Sequence, residues 1–157
     1  MKRFSILLVA MAVMLSATLD AADDKGKKKR DPLAKAKCPV SGKAVKAEHA
    51  VAFKGAKAYF CCPNCPKAFE KDTAKFATKA NHQLVLTRQA RQVKCPLAGK
   101  AVNKEQSVKV AGVNVSFCCG NCKGKVAAAE GDAQLELAFS DAAFAKGFKV
   151  GKKSKKK

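Results

Sequence analysis

Cys38, Cys61, Cys62 and Cys65 recur without a gap, 57 positions later, as Cys95, Cys118, Cys119 and Cys122, and these are all eight cysteines of the chain. Loose thiols oxidise and capture metals, so a spaced set repeated intact makes the thiols the purpose of the module. From Cys38 to Cys65, 14 of 28 positions match their counterparts: Cys38, Pro39, Gly42, Lys43, Ala44, Val45, Glu48, Val51, Gly55, Phe60, Cys61, Cys62, Asn64 and Cys65. That density marks an internal duplication. Beyond Cys65 the copies diverge. Gln83-Leu84-Val85-Leu86 resembles Gln134-Leu135-Glu136-Leu137 at an offset of 51, which implies six residues lost from the second copy.

A unit of 57 residues is near the size at which a hydrophobic core alone is marginal, so a metal or disulfide staple is expected. Nine Phe, one Tyr and no Trp make that core thin. Val51 to Phe60 holds two short stretches around Lys54-Gly55. Val108 to Phe117 does the same around Ala111-Gly112, with Val108, Val110, Val113 and Val115 in strand alternation. Each reads as a β-hairpin whose turn takes its positive φ from Gly55 or Gly112, and each runs straight into the cysteine pair. A helix follows, with Cys65, Ala68, Phe69 and Phe76 at helical spacing in one copy and Cys122, Val126 and Ala129 in the other. Asp141 to Phe148 is expected to close the chain as a helix that packs Phe144 and Phe148 on the core.

The ends read differently. Lys2 and Arg3 precede an apolar run from Phe4 to Leu15, and small residues follow to Ala22, the pattern of a cleaved export signal over residues 1–22. The run is short of the ~20 residues that a membrane span needs. The predicted order is then a basic linker at 23–37, a first repeat at 38–94, a second at 95–150 and a basic tail at 151–157. Removing residues 1–22 leaves 30 basic and 11 acidic residues, a net of +19. The charge is mostly lysine, with few interleaved aromatics, so it reads as solvated tails that attract anionic surfaces. Export to the periplasm or the exterior makes nucleic acid an unexpected partner. An acidic protein or an anionic envelope surface is the expected one.

Each copy has the pattern C-x22-C-C-x2-C. A distant cysteine, a hairpin that brings it back, and a close cysteine cluster at a helix start are how small zinc folds gather ligands. The helix start also favours thiolate over thiol. Thiolates without a shared histidine suit zinc, with copper(I) or another thiophilic ion as alternatives, better than magnesium or calcium. The metal-ligating candidates are Cys38, Cys61, Cys62 and Cys65, then Cys95, Cys118, Cys119 and Cys122. Adjacent cysteines in an extended strand point opposite ways, so Cys62 joins Cys61 at one ion only if the chain turns between them. A three-thiolate site with an open position or a water is the competing picture. Other polar residues take ordinary readings. His49 faces Gln106 in the alignment and reads as a surface residue, and His82, likewise unpaired, as a helix-end residue. Ser41 faces Ala98, which removes its hydroxyl from shared chemistry. Asn64 and Asn121, like Gly42 and Gly99, serve turns.

The segments CPVSGKAV…GAKAYFCCPNCPKAFEKD and CPLAGKAV…GVNVSFCCGNCKGKV resemble the TRASH and YHS families of small heavy-metal-binding domains, over residues 38–76 and 95–130. The resemblance implies ligation by Cys38, Cys61 and Cys65 and by Cys95, Cys118 and Cys122. It also implies an α+β fold of two tandem zinc-finger-like, treble-clef-like modules, each a hairpin and a short helix, in a protein of metal sensing, trafficking or resistance. The YHS signature carries a cysteine where this chain has Ser41 and Ala98, while Cys62 and Cys119 are extra.

The expected function is therefore binding of one soft metal ion per repeat, for trafficking, sensing or structure. The alternative is thiol–disulfide chemistry or a disulfide-stapled scaffold, since Cys62-Pro63-Asn64-Cys65 and Cys119-Gly120-Asn121-Cys122 are C-x-x-C motifs at helix starts. Against it stands the lack of a βαβ pattern. An enzyme is not expected: the only carboxylate recurring in the aligned cysteine segments is Glu48 with Glu105, and no nucleophile–base pair stands out.

Overall fold

The computed structural model describes residues 31–151. The expected export signal over residues 1–22, residues 23–30 of the expected linker and residues 152–157 of the tail lie outside them. No helix among the described residues is long and apolar enough to cross a membrane.

The chain is mixed α+β. The first copy holds β1 (Lys46–Phe53), β2 (Ala56–Phe60), α1 (Asn64–Lys71), α2 (Thr73–Leu86) and β3 (Ala90–Gln92). The second holds β4 (Asn103–Val110), β5 (Val113–Phe117), α3 (Gly120–Ala127), α4 (Gly131–Phe139), α5 (Asp141–Gly147) and β6 (Phe148–Val150). The hairpins β1–β2 and β4–β5 are antiparallel and share one irregularity. Lys46 pairs with Phe60 but Ala50 with Tyr59, and Asn103 pairs with Phe117 but Ser107 with Ser116. Each bulge keeps the strand start beside the strand end that enters the cysteines. The turns are of the two-residue mirror-image kind, with positive φ not only at Gly55 (79°) and Gly112 (89°) but also at Lys54 (49°) and Ala111 (43°).

Three expectations change. The stretch from Cys65 to Phe76 is two helices, because Asp72 leaves helical geometry (φ −143°) and its carboxylate caps α2 by accepting from Lys75 N at 3.1 Å. In the second copy α3 ends at Ala127, so Ala129 is outside it. The closing helix stops at Gly147. Phe148 instead begins a strand, pairing with Gln92 while Val150 pairs with Ala90, and Phe144 and Phe148 do enter the core. The end of the basic linker is also packed: Ala36 is buried and Lys37 bridges Ala44.

One apolar cluster runs through both copies. Phe53, Ala58, Phe60, Phe69 and Leu84 join Val110, Val115, Phe117, Val126, Phe139, Phe144 and Phe148. The copies grip each other by their hairpin turns. Lys54 Nζ reaches across to Asp141 at 2.6 Å and lies over the ring of Phe144. In return, His82 on α2 meets the Ala111 carbonyl through Nε2 at 3.1 Å and packs edge-on against Phe139. The histidine expected at a helix end thus sits between the copies, in the last turns of α2. Asn81 beside it donates to Phe139 O and to Asp141. Burial alone would raise the Asp141 pKa, but Lys54 and Asn81 hold it below the ordinary value.

Candidate metal centres

Each far cysteine sits in the same small loop. Cys38 N donates to Lys43 O and Gly42 N to Cys38 O, both at 2.8 Å. Cys95 with Lys100, and Gly99 with Cys95, repeat the pair at the same 2.8 Å. The reversal needs left-handed backbone at Gly42 (φ 71°) and Gly99 (φ 67°), which is why glycine stands at both places. The loop turns its N–H groups on the sulfur. Burial alone would raise the Cys38 pKa, but the Ser41 hydroxyl and the N–H groups of Ser41, Cys61 and Val40 bring it down to about 7. Cys95 is likewise lowered against its burial, by the N–H groups of Ala98, Cys118 and Leu97.

The near cysteines arrive from the hairpin. Cys61 and Cys118 follow β2 and β5 directly, and Cys65 and Cys122 lie in the first turns of α1 and α3. The Sγ atoms of Cys38, Cys61 and Cys65 all fall within 4.8 Å of one another, as do those of Cys95, Cys118 and Cys122. An ion ~2.3 Å from each thiolate in tetrahedral geometry spaces its sulfurs about 3.8 Å apart. Cys61 to Cys65 is 3.6 Å and Cys118 to Cys122 is 3.8 Å, so the donor sets fit one ion each. All eight cysteines are free thiols at separations far above the ~2.0 Å of a disulfide.

The fourth cysteines fall outside these triads. Cys62 Sγ touches Cys65 Sγ at 3.4 Å, while Cys119 Sγ approaches Cys118 Sγ at 3.7 Å and is exposed. Hydrogen bonds from Cys65 and Asn64 lower the Cys62 pKa, and the Cys122 N–H with neighbouring thiols does the same for Cys119. His49 is not in a cluster. Its Nε2 is 3.4 Å from the Glu48 carboxylate, in the bulge of β1.

Comparison with family models, curated proteins and solved structures finds no match. The chemistry rests on this chain's own geometry.

Two supports were missed in the sequence. Gln83, fully buried on α2, donates through Nε2 to Lys37 O (2.9 Å) and Tyr59 O (2.8 Å), and its Oε1 accepts from Tyr59 N (2.7 Å). Gln92 on β3 makes the same bridge in the second copy: it donates to Lys94 O and Ser116 O and accepts from Ser116 N. Each amide ties the residue before the far cysteine to the strand that carries the near one. The two glutamines occupy unrelated positions in the repeat, so no alignment signal marks them. Gln134, the residue matched to Gln83, bonds Val126 O instead. Ser41, set aside because Ala98 faces it, has its Oγ 3.1 Å from Cys61 Sγ.

Three adjoining thiols cannot all ionise unaided. Burial and then the neighbouring thiols push Cys65 and Cys122 up to about 12, so both hold their protons at neutral pH. A bound cation reverses that balance and expels them. Zinc uptake is therefore expected to release protons. Its affinity should fall about tenfold per pH unit for each proton released as pH drops from 8 to 6. Competition titration across that range reads the slope, and a flat profile would contradict thiolate ligation.

Proposed function

We propose that this chain is a non-enzymatic metal-binding protein that takes one thiophilic ion in each cysteine cluster, zinc first and copper(I) or another soft ion as alternatives. The observation that carries this reading is the same three-sulfur triad built twice, at spacings an ion requires. Resemblance of the cysteine segments to TRASH and YHS domains supports trafficking or sensing over a purely structural ion. So does the three-donor count, since structural zinc is ordinarily closed by four ligands while labile or reactive sites keep a position open. The N-terminal pattern supports export. The lysine excess supports an anionic envelope surface or an acidic protein as the partner.

The test is native mass spectrometry of the chain purified without oxygen, alongside thiol counting. About two zinc or copper ions per chain, with all thiols recovered under denaturant and chelator, is the expected result. A second reading has its own observation: Cys62 and Cys65 lie 3.4 Å apart in a C-x-x-C motif, close enough to join as a disulfide with little movement. No ion, no uptake after reduction, and thiols lost in pairs would overturn the metal reading in favour of that one.

A further inference from the structure

The two clusters are copies in their ligands but not in what surrounds them. In the first, Ser41 Oγ stands 3.1 Å from Cys61 Sγ, and the Lys43 N–H approaches the same oxygen at 3.4 Å. Lys43 N–H takes an oxygen lone pair, which leaves the one hydroxyl hydrogen for the sulfurs of this cluster, Cys61 at 3.1 Å and the Cys38 sulfur that the same hydroxyl favours as thiolate. Once Cys61 ligates an ion it has no proton, so the hydroxyl must be the donor. The second loop has the same backbone, with Gly99 N to Cys95 O at 2.8 Å as Gly42 N is to Cys38 O. It carries Ala98 at this place, and a methyl cannot donate.

A hydrogen bond to a ligating thiolate draws charge from the sulfur. The sulfur is then slower to leave the ion during ligand exchange. Partners of metal ligands at this remove typically change affinity about 10- to 100-fold, and the exposure of Ser41 puts the effect at the lower end. We propose that Ser41 sets the two clusters apart, making Cys38–Cys61–Cys65 the slower, tighter metal site and leaving Cys95–Cys118–Cys122 as the exchangeable one. The inference rests on the metal reading above and adds a direction to it: one ion is retained while the other is passed on. Ser41 acts through Cys61 and is a positioning residue, not a ligand.

The experiment uses the full chain loaded with zinc and mixed rapidly with excess chromophoric chelator. Wild type should release its two ions in two equal phases about 10-fold apart in rate. Chains with Cys95→Ser and Cys38→Ser, each retaining one site, assign the slow phase to the first cluster and the fast phase to the second. Ser41→Ala should merge the phases at the fast rate. Ala98→Ser should slow the second phase toward the first. Neither substitution should move the melting temperature of the metal-free chain, which separates tuning of the ion from a fold effect. Two bound ions whose release ignores both substitutions would overturn this inference and leave the metal reading standing. A chain that binds no ion would overturn both.

Discussion

Cys38→Ser should cut the bound metal from about two ions per chain to about one and lower the melting temperature in saturating zinc by on the order of 10 °C. Cys38 is buried at the base of its loop, where its N–H closes on Lys43 O, and it is the one ligand that ties the start of the repeat to the hairpin and helix. Serine keeps nearly the same volume but gives a hard, protonated oxygen in place of a thiolate, so packing survives and ligation does not. A ligand held only by the native state stabilises it by mass action, about 4 kcal/mol at a thousandfold excess over its dissociation constant. For a chain whose aromatic complement is nine Phe and one Tyr, that is a large share of typical domain stability. Thermal melts with zinc and with chelator make the test. With chelator the variant and wild type should nearly coincide, because the metal term is gone from both. Cys95→Ser should lose one ion in the same way, and the double variant both. If Cys38→Ser still binds two ions, or melts with wild type in zinc, the far cysteine is not a ligand.

What was legible in advance follows from what repeats. The hairpins, their turns and the convergence of Cys38 with Cys61 and Cys65 depend on local chemistry that both copies spell alike: the glycine of the loop, the glycine of the turn, Phe60 or Phe117 before the cysteine pair. The joint between the copies cannot repeat, since each surface meets a different one. Lys54 with Asp141, His82 with Ala111, and β3 with β6 therefore left no pattern to read. The Gln83 and Gln92 bridges show the same limit from the other side. Three equivalent backbone groups in each copy needed an amide, and the chain supplied it once from a helix and once from a strand. The closing helix stops short of Phe148 because strand pairing with Gln92 outweighs the helical spacing of the phenylalanines.

Gly147 gives the sharpest test of that joint. A Cβ built there would lie 2.8 Å from Pro96 Cα and 3.0 Å from Pro96 N, and backbone atoms cannot step aside as a side-chain end can. The Gly147 carbonyl also receives Val93 N (2.8 Å) and Lys94 N (3.1 Å), which fixes the approach. Pro96 is buried and follows Cys95, so any displacement is passed directly to the far ligand of the second cluster. Gly147→Ala should destabilise the chain by about 2–3 kcal/mol, as overpacking of a full interior does. It should also weaken the second metal site while sparing the first. Gly124→Ala supplies the contrast. That residue lies exposed in α3 with nothing within 4 Å of the added carbon, so the same substitution should stabilise by about 0.5–1 kcal/mol through the lost freedom of the unfolded chain. Urea titration of both variants, with metal counted on each, reads the opposite signs. A neutral Gly147→Ala would mean that β3, β6 and the second cysteine loop are not held together as the structure has them.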